Sequence, residues 1–273
     1  MKIMKKILAV VLALGMLAAF AGCGAADTTS EPKAEDTLVM ATNAAFPPYE
    51  FKEGDDFAGI DVEIAQLIAK KLGKKLVIED VDFGAIVGGV QSGKYDMGMA
   101  GLTVTDERKE SVNFTDTYAT GIQSVIVPVD SEYKSFEDFY TGFDADENPA
   151  GVKDGIMIGV QQDTTGDIYS SDKPEKWGFG EDKVTRYKTG SDAVAALVAG
   201  KITAVIIDDE PAKSFVAANE GKLKILEGEY TNEDYAICVA KENKELLDDI
   251  NTALRELIAD GEVQKIVDKY IKK

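Results

Sequence analysis

The sequence predicts an α/β fold built as two units, each a mostly parallel sheet flanked by helices. Three observations lead there. Strand-like and helix-like segments alternate from Thr37 onward at the spacing of βαβ units. The alternation pauses at an acidic stretch, GFDADENPAG, and then restarts. The two halves also superpose with an offset of 107 residues, which lays Val87 on Val194, Val90 on Leu197 and Gly93-Lys94 on Gly200-Lys201.

Taken in order, the first unit opens with strand LVMAT, a loop, and helix DVEIAQLIAKKL, whose Ile64, Leu67, Ile68 and Leu72 share one face and which stops at Gly73. Strand KLVIED, helix FGAIVGGVQSG, strand YDMGMAG and a short helix carrying Arg108 follow. The apolar strand GIQSVIVPV leads to the acidic loop. In the second unit strand IMIGV runs into the turn QQDTTGD, and strand VTRYKT precedes helix SDAVAALVAG and strand ITAVIID. Helix EPAKSFVAAN and strand LKILEG complete it. A last strand, YAICVAK, precedes a C-terminal helix with Leu247, Ile250, Leu254, Leu257 and Ile258 at helical spacing.

The 273 residues carry 49 acidic and 30 basic side chains, a net charge of −19, which excludes a phosphate-backbone partner such as nucleic acid. With no histidine and two cysteines, the commonest zinc and copper ligands and the Ser-His-Asp and Cys-His catalytic sets are missing. The start of the chain, MKIMKKILAVVLALGMLAAFAGCGA, has lysines, then an apolar run from Ile7 to Ala21 too short to span a bilayer, then small residues. It reads as an export signal over residues 1–22. The flank FAGC resembles the lipobox of bacterial lipoproteins, which would make Cys23 the lipidated first residue of the mature chain; Phe20 departs from that motif, and ordinary signal cleavage is the alternative. Residues 23–36 read as a polar tether. Cys238, inside YAICVA, reads as a small buried core residue.

Arg108 stands in the first turn of a short helix, where the dipole disfavours cations. On its own it reads as a surface residue paired with Glu107 or Glu110. The 107-residue offset suggests another role. It pairs Gly101 with Asp208, so both stand at carboxyl ends of equivalent strands, where open α/β sheets bind ligands. A cleft with Arg108 on one wall and Asp208 on the other suits a zwitterion, with the guanidinium fork taking a carboxylate and the Asp accepting from an ammonium. The free N–H groups of the helix start would add to the carboxylate site, and Thr103 and Thr105 offer hydroxyls beside it.

The segments LVMATNAAFPPYEF, GIDVEIAQLIAKKL, DFGAIVGGVQSGKYDMGMAGLTVTDERKESVNFT, IGVQQDTTGD and AVIIDDEPA resemble those of bacterial family 3 solute-binding proteins, the amino-acid receptors of ABC importers. The resemblance implies a two-lobed, type II periplasmic-binding-protein-like fold with two hinge strands. Lobe 1 would comprise residues 37–123 and 238–273, and lobe 2 residues 129–232. It further implies that Arg108 holds the ligand carboxylate, helped by the backbone N–H groups of Thr103 and Thr165. Asp208 would hold the α-ammonium with the carbonyl of Gly101 and the hydroxyl of Thr103. Phe46 and Phe83 match aromatics that lie against the ligand side chain, although either ring alone also suits core packing. Asn43 stands where several members have Asp, Gln161 where some have Lys or an apolar residue, and Asp163 where a Gly is usual. Asn43 is compatible with neutral polar ligands because an amide both donates and accepts.

The function so implied is the extracytoplasmic, lipid-anchored binding component of an amino-acid ABC transporter. It would act as a monomer without cofactor or metal, close on a free L-amino acid and deliver it to a membrane permease. Two aromatic faces with Asn43, Glu50 and Gln161 nearby favour arginine, lysine or glutamine over leucine or aspartate. The rival expectation is a secreted dehydratase on the same fold, for which Glu50, Asp82 or Asp116 would have to supply the general acid.

Overall fold

The computed structural model describes residues 36–228 and 231–271. The expected export signal, the lipidated Cys23 and nearly all of the tether lie outside the described residues. Among the described residues no helix is long and apolar enough to cross a membrane.

The chain runs through β1 (Thr37–Thr42), a meander of β2 (Ala45–Phe46), β3 (Glu50–Glu53) and β4 (Asp56–Ala58), and α1 (Ile60–Lys71). Next are β5 (Lys75–Asp80), α2 (Ala85–Gln91), β6 (Met97–Gly98), α3 (Asp106–Ser111), β7 (Val112–Phe114) and β8 (Ala119–Pro128). Then come β9 (Ile158–Gln161), α4 (Thr165–Ser171), β10 (Val184–Tyr187), α5 (Gly190–Val198), β11 (Ala204–Asp208) and α6 (Asp209–Ala218). The last elements are β12 (Leu223–Ile225), β13 (Asn232–Tyr235), β14 (Cys238–Ala240), α7 (Lys244–Ala259) and α8 (Glu262–Tyr270).

Two principal sheets result, in the orders β5-β1-β6-β14-β7 and β10-β9-β11-β8-β12, with β13 paired to β8. In each sheet the first three strands are parallel and the last two join antiparallel. The segments matched by the 107-residue offset occupy equivalent places, β6 and β11 each lying third in its sheet. Strand β8 spans the two regimes: Ala119–Ile122 pair with β13, and Gln123 onward pairs with β11 and β12. It thus enters the second sheet directly.

Helix α1 illustrates how the sequence sets its element. Ile60, Val62, Ile64, Ala65, Ile68 and Ala69 are buried, acids occupy the first turn and Lys70 and Lys71 the last, in line with the dipole. Gly73, at φ 65°, takes the left-handed position that ends it. At the other end of the chain, Gly261 (φ 73°) splits what the apolar spacing suggests is one C-terminal helix into α7 and α8. Tyr270 of α8 reaches Glu63 of α1 at 2.5 Å and accepts from the Gly59 N–H at 3.3 Å. Cys238 is fully buried against Ile86 and Val90, and burial pushes its thiol up to about 12, as suits an inert core residue.

Three sequence expectations need correction. The loop after β1 contains the β2–β4 meander, whose strands of two to four residues are too short for a period-two pattern. The YDMGMAG strand is regular only at Met97–Gly98. The region around the acidic loop carries a 3-10 helix at Phe136–Phe139 and an aromatic cluster in which Tyr140 stacks on Phe179, with centroids 5.5 Å apart, and Phe139 is fully buried.

Candidate functional site

The ends of β1, β6, β9 and β11 converge on a small, tightly closed cavity lined by Asn43, Phe46, Glu50, Phe83, Ala100, Gly101, Thr103, Gln161, Thr164, Thr165 and Asp208. Most of the residues expected from sequence to touch a ligand are thereby brought together. Arg108 stands behind Thr103, also bordering a wider, more open hollow with Asp163, Asp167 and Arg186.

On the first sheet's side, β1 delivers Asn43, whose amide donates to the Val81 carbonyl at 2.7 Å. Its oxygen accepts from Gln161 Nε2 at 2.9 Å, an amide contact between the two sheets. Both side chains are buried. Gly101 follows β6 at φ 52°, and a Cβ there would come 3.0 Å from the Phe46 ring, so glycine is required on both counts. Its N–H donates to Asp61 Oδ2 at 2.8 Å.

Arg108 is held from three directions. Thr105 caps α3, its hydroxyl accepting from the Arg108 N–H at 3.1 Å. The guanidinium donates to the Thr103 carbonyl at 2.8 Å and, across to the other sheet, to the Asp163 carbonyl at 3.1 Å. It lies 5.3 Å from the Phe83 ring centroid. Phe83 therefore serves as a face for Arg108 as well as lining the cavity, a cation–π role the sequence did not suggest. Burial lowers the guanidinium's pKa, opposed by Glu233 and Asp208. Two donations to carbonyls leave further N–H donors for a ligand.

Asp208 ends β11 and starts α6. Its Oδ1 accepts from the hydroxyl of Tyr235, on β13. Burial, and then the nearby Glu233, raise its carboxyl from 3.8 to about 7. Thr165 is the first residue of α4, after Thr164, whose hydroxyl caps that helix. Asp163, in the position where glycine is usual, has φ 65°. Its main-chain N–H donates to Asp167 Oδ2 at 3.0 Å, which helps hold this left-handed turn.

Two buried carboxylates of the site went unnoticed in the sequence. Glu233, on β13, accepts the Thr103 hydroxyl at 2.6 Å, and its Oε1 has no donor. The Thr103 hydroxyl is thus turned to Glu233. Asp61, in the first turn of α1, lies directly beneath Gly101. Asp61 reads in sequence as an ordinary acid at a helix start, and Glu233 as one residue of a short polar segment. The only available signal was the alternation in NEDY, which buries Glu233 and Tyr235 on one face. Of the three carboxylates considered as general acids, Glu50 lines the cavity, whereas Asp82 and Asp116 are exposed and paired with Lys188 and Arg255. Among the described residues no cluster of three or more His, Cys, Asp or Glu side chains is placed to hold a metal ion.

Two α/β sheets of matching strand order, with a closed polar cavity at the carboxyl ends of their central strands, define a type II periplasmic-binding-protein fold. Residues 38–273 match the bacterial extracellular solute-binding proteins, family 3, and the chain belongs to that family. It is 31% identical to the arginine-binding extracellular protein ArtP of Bacillus subtilis (strain 168), over 98% of each chain. Among solved structures it resembles an ancestral arginine-binding protein bound to glutamine, with TM-score 0.76 and 34% identity over 88% of this chain and 100% of that one. An ancestral arginine-binding protein bound to arginine aligns with TM-score 0.75 and 35% identity over 86% and 98% of the two chains.

Proposed function

We propose that the protein is the extracytoplasmic binding component of an amino-acid ABC transporter, which captures a free amino acid between its two sheets and delivers it to the permease. The observation that carries this reading is the cavity itself. A buried anion, Asp208, lines it from one sheet, and a buried cation, Arg108, stands next to it on the other, bonded to the carbonyl of the cavity-lining Thr103; in this reading the two take a ligand's α-ammonium and α-carboxylate. In this reading residues 37–123, together with 238–273, form one lobe and 129–232 the other. The β8 and β13 ribbon joins them and supplies the hinge. Gln161 on Asn43 and Arg108 on the Asp163 carbonyl are contacts that closure would make. The N-terminal signal would direct export and be removed, and a lipid on Cys23 would tether the mature chain to the membrane. The protein works as a monomeric receptor and catalyses no reaction.

The ligand side chain is polar: arginine, lysine or glutamine. Glu50, 1% exposed and lining the cavity, has one oxygen without a donor, which an aliphatic side chain would leave unpaired and an acidic one would repel. Relatives named for arginine and a neighbour bound to glutamine support this range. A thermal-shift screen across the twenty amino acids tests it, since a ligand that binds only the folded state raises Tm. Strongest stabilisation by arginine, lysine or glutamine is expected. Strongest stabilisation by leucine or aspartate would overturn the side-chain assignment, and no response to any amino acid would overturn the whole reading.

A further inference from the structure

Beside the cavity lie two buried carboxylates, Glu50 and Asp61, to which no cation is paired among the described residues. Asp61 is fully buried, and its Oδ2 is satisfied twice, by the Gly101 N–H at 2.8 Å and the Tyr118 hydroxyl at 2.9 Å. Among the described residues its Oδ1 has no donor. Glu50, at the start of β3, is buried in the segment next to it, the Asp61 N–H donating to the carbonyl of Tyr49 at 2.9 Å, and among the described residues Glu50 Oε2 is likewise buried without a donor. Two ionised carboxylates only accept, so a hydrogen bond between them requires a proton on one of them. A single proton placed there also relieves two like charges that could not both ionise in so dry a place.

We propose that Glu50 and Asp61 share one proton in the ligand-free protein, and that a ligand with a cationic side chain displaces it, whereas a neutral amide side chain binds with the proton in place. The proposal rests on the amino-acid reading above and deepens it: one pocket would take both arginine and glutamine by changing its own charge. Glu50 sits among Asn43, Phe46 and Gln161, where a ligand side chain would lie. When a guanidinium or ammonium enters, Glu50 ionises, its proton passes to solvent, and the two carboxylates are balanced by the ligand cation. With an amide ligand the Glu50 hydroxyl stays on Asp61, and the pair keeps one negative charge.

The groups facing the pair from neighbouring elements point the same way. Tyr118, before β8, donates to Asp61; Tyr49 adjoins Glu50; Asp208 stands at the end of β11, with Glu210 on α6 beyond it. Each is acidic, and each that is ionised favours retention of the proton. Burial, reinforced by Asp61, pushes the Glu50 carboxyl well above the usual carboxylate range. Burial raises Asp61 to about 6, against the pull of its two donors and Glu50. The two groups titrate as a pair, one step low and one high, so the shared proton persists toward neutral pH.

The test is calorimetric titration of the protein with L-arginine and with L-glutamine, from about pH 6 to about pH 8, in buffers of different ionisation enthalpy. Arginine is expected to release close to one proton more than glutamine, with its affinity relative to glutamine rising by up to about tenfold per pH unit in that window. Glutamine should release only the proton that Asp208 loses on taking the α-ammonium, a share common to both ligands. Arginine binding without proton release, equal release by both ligands, or no binding of arginine at any pH would overturn the proposal. An infrared spectrum of the ligand-free protein checks the shared proton without a ligand. A protonated-carboxyl C=O band is expected near neutral pH and should lose the Glu50 share of its intensity in Glu50→Gln, leaving that of Asp208; an unchanged band in Glu50→Gln, or its absence in the unsubstituted protein, overturns the proposal. Glu50→Gln, whose amide can donate to Asp61 permanently, should abolish the excess proton release by arginine over glutamine and weaken arginine by about tenfold or more. If neither amino acid binds while the band is present, it is the amino-acid reading that has failed, and proton displacement fails with it.

Discussion

The ends of the two central strands, β6 and β11, hold the same place in matching sheets and are put to opposite uses. After β6 the chain turns at Gly101, where a left-handed φ and the nearby Phe46 ring disfavour a side chain and the N–H is tied down to Asp61. The cation of this side comes from seven residues further on, as Arg108 folds back onto the Thr103 carbonyl. After β11 the terminal residue itself, Asp208, carries the charge, and a tyrosine from the crossing strand β13 holds it. Equivalent topology therefore fixes where a ligand is met, while the residues just past each strand decide which charge meets it.

The largest expected effect comes from removing either charge. Arg108→Ala and Asp208→Asn should each weaken amino-acid binding by about 2–5 kcal/mol, since each leaves an opposite charge of the ligand buried without its partner. Titration calorimetry reads this directly. Near wild-type affinity in one variant would show that the symmetry fails on that side.

The same comparison predicts a pH dependence of stability. Asp208 rises from 3.8 to about 7 and Asp61 from 3.8 to about 6 in the folded protein. A carboxyl raised on folding stabilises most below its unfolded value, and that contribution is lost as pH climbs through the folded one. Without ligand, Tm should therefore fall between about pH 4 and about pH 7, to the extent that these two groups dominate over the surface carboxylates lowered by ion pairs. Asp208→Asn should flatten the upper part of that fall. An unchanged slope in the variant would mean that Asp208 is already ionised at the lower pH.

A smaller effect is expected at the turn on the β6 side. Gly101→Ala forces a left-handed φ on an L-residue and presses a methyl against Phe46, costing about 1–2 kcal/mol. Chemical denaturation measures it. A neutral result would show that the turn relaxes and that Gly101 is not required for the geometry of the site.

Much of this was legible in the sequence because it rests on local signals. The βα alternation, the stop at Gly73 and the 107-residue offset depend on period and punctuation, and the offset placed Gly101 and Asp208 at equivalent strand ends. The motif resemblance marked Asn43, Phe46, Gln161 and Thr165, and the structure gathers them around one cavity. What stayed hidden is non-local. Phe83 is a ring like any other until the guanidinium is placed over it. Asp61 and Glu50 are eleven residues apart, one read as a helix-start acid and the other as part of a loop. Their pairing exists only once the β2–β4 meander folds onto α1. Glu233 acquires its role only when β13 returns beside Thr103.

The central claim is that the two walls read the two ends of one amino acid, and it is most directly tested by a cycle of ligand and protein. The amino acid selected by the screen and its decarboxylated amine would be titrated into the wild type and into Arg108→Ala. Loss of the carboxylate is expected to cost the wild type about 2–5 kcal/mol and the Arg108→Ala variant little. An equal cost in both proteins would contradict the account, because the carboxylate would then be held somewhere other than Arg108.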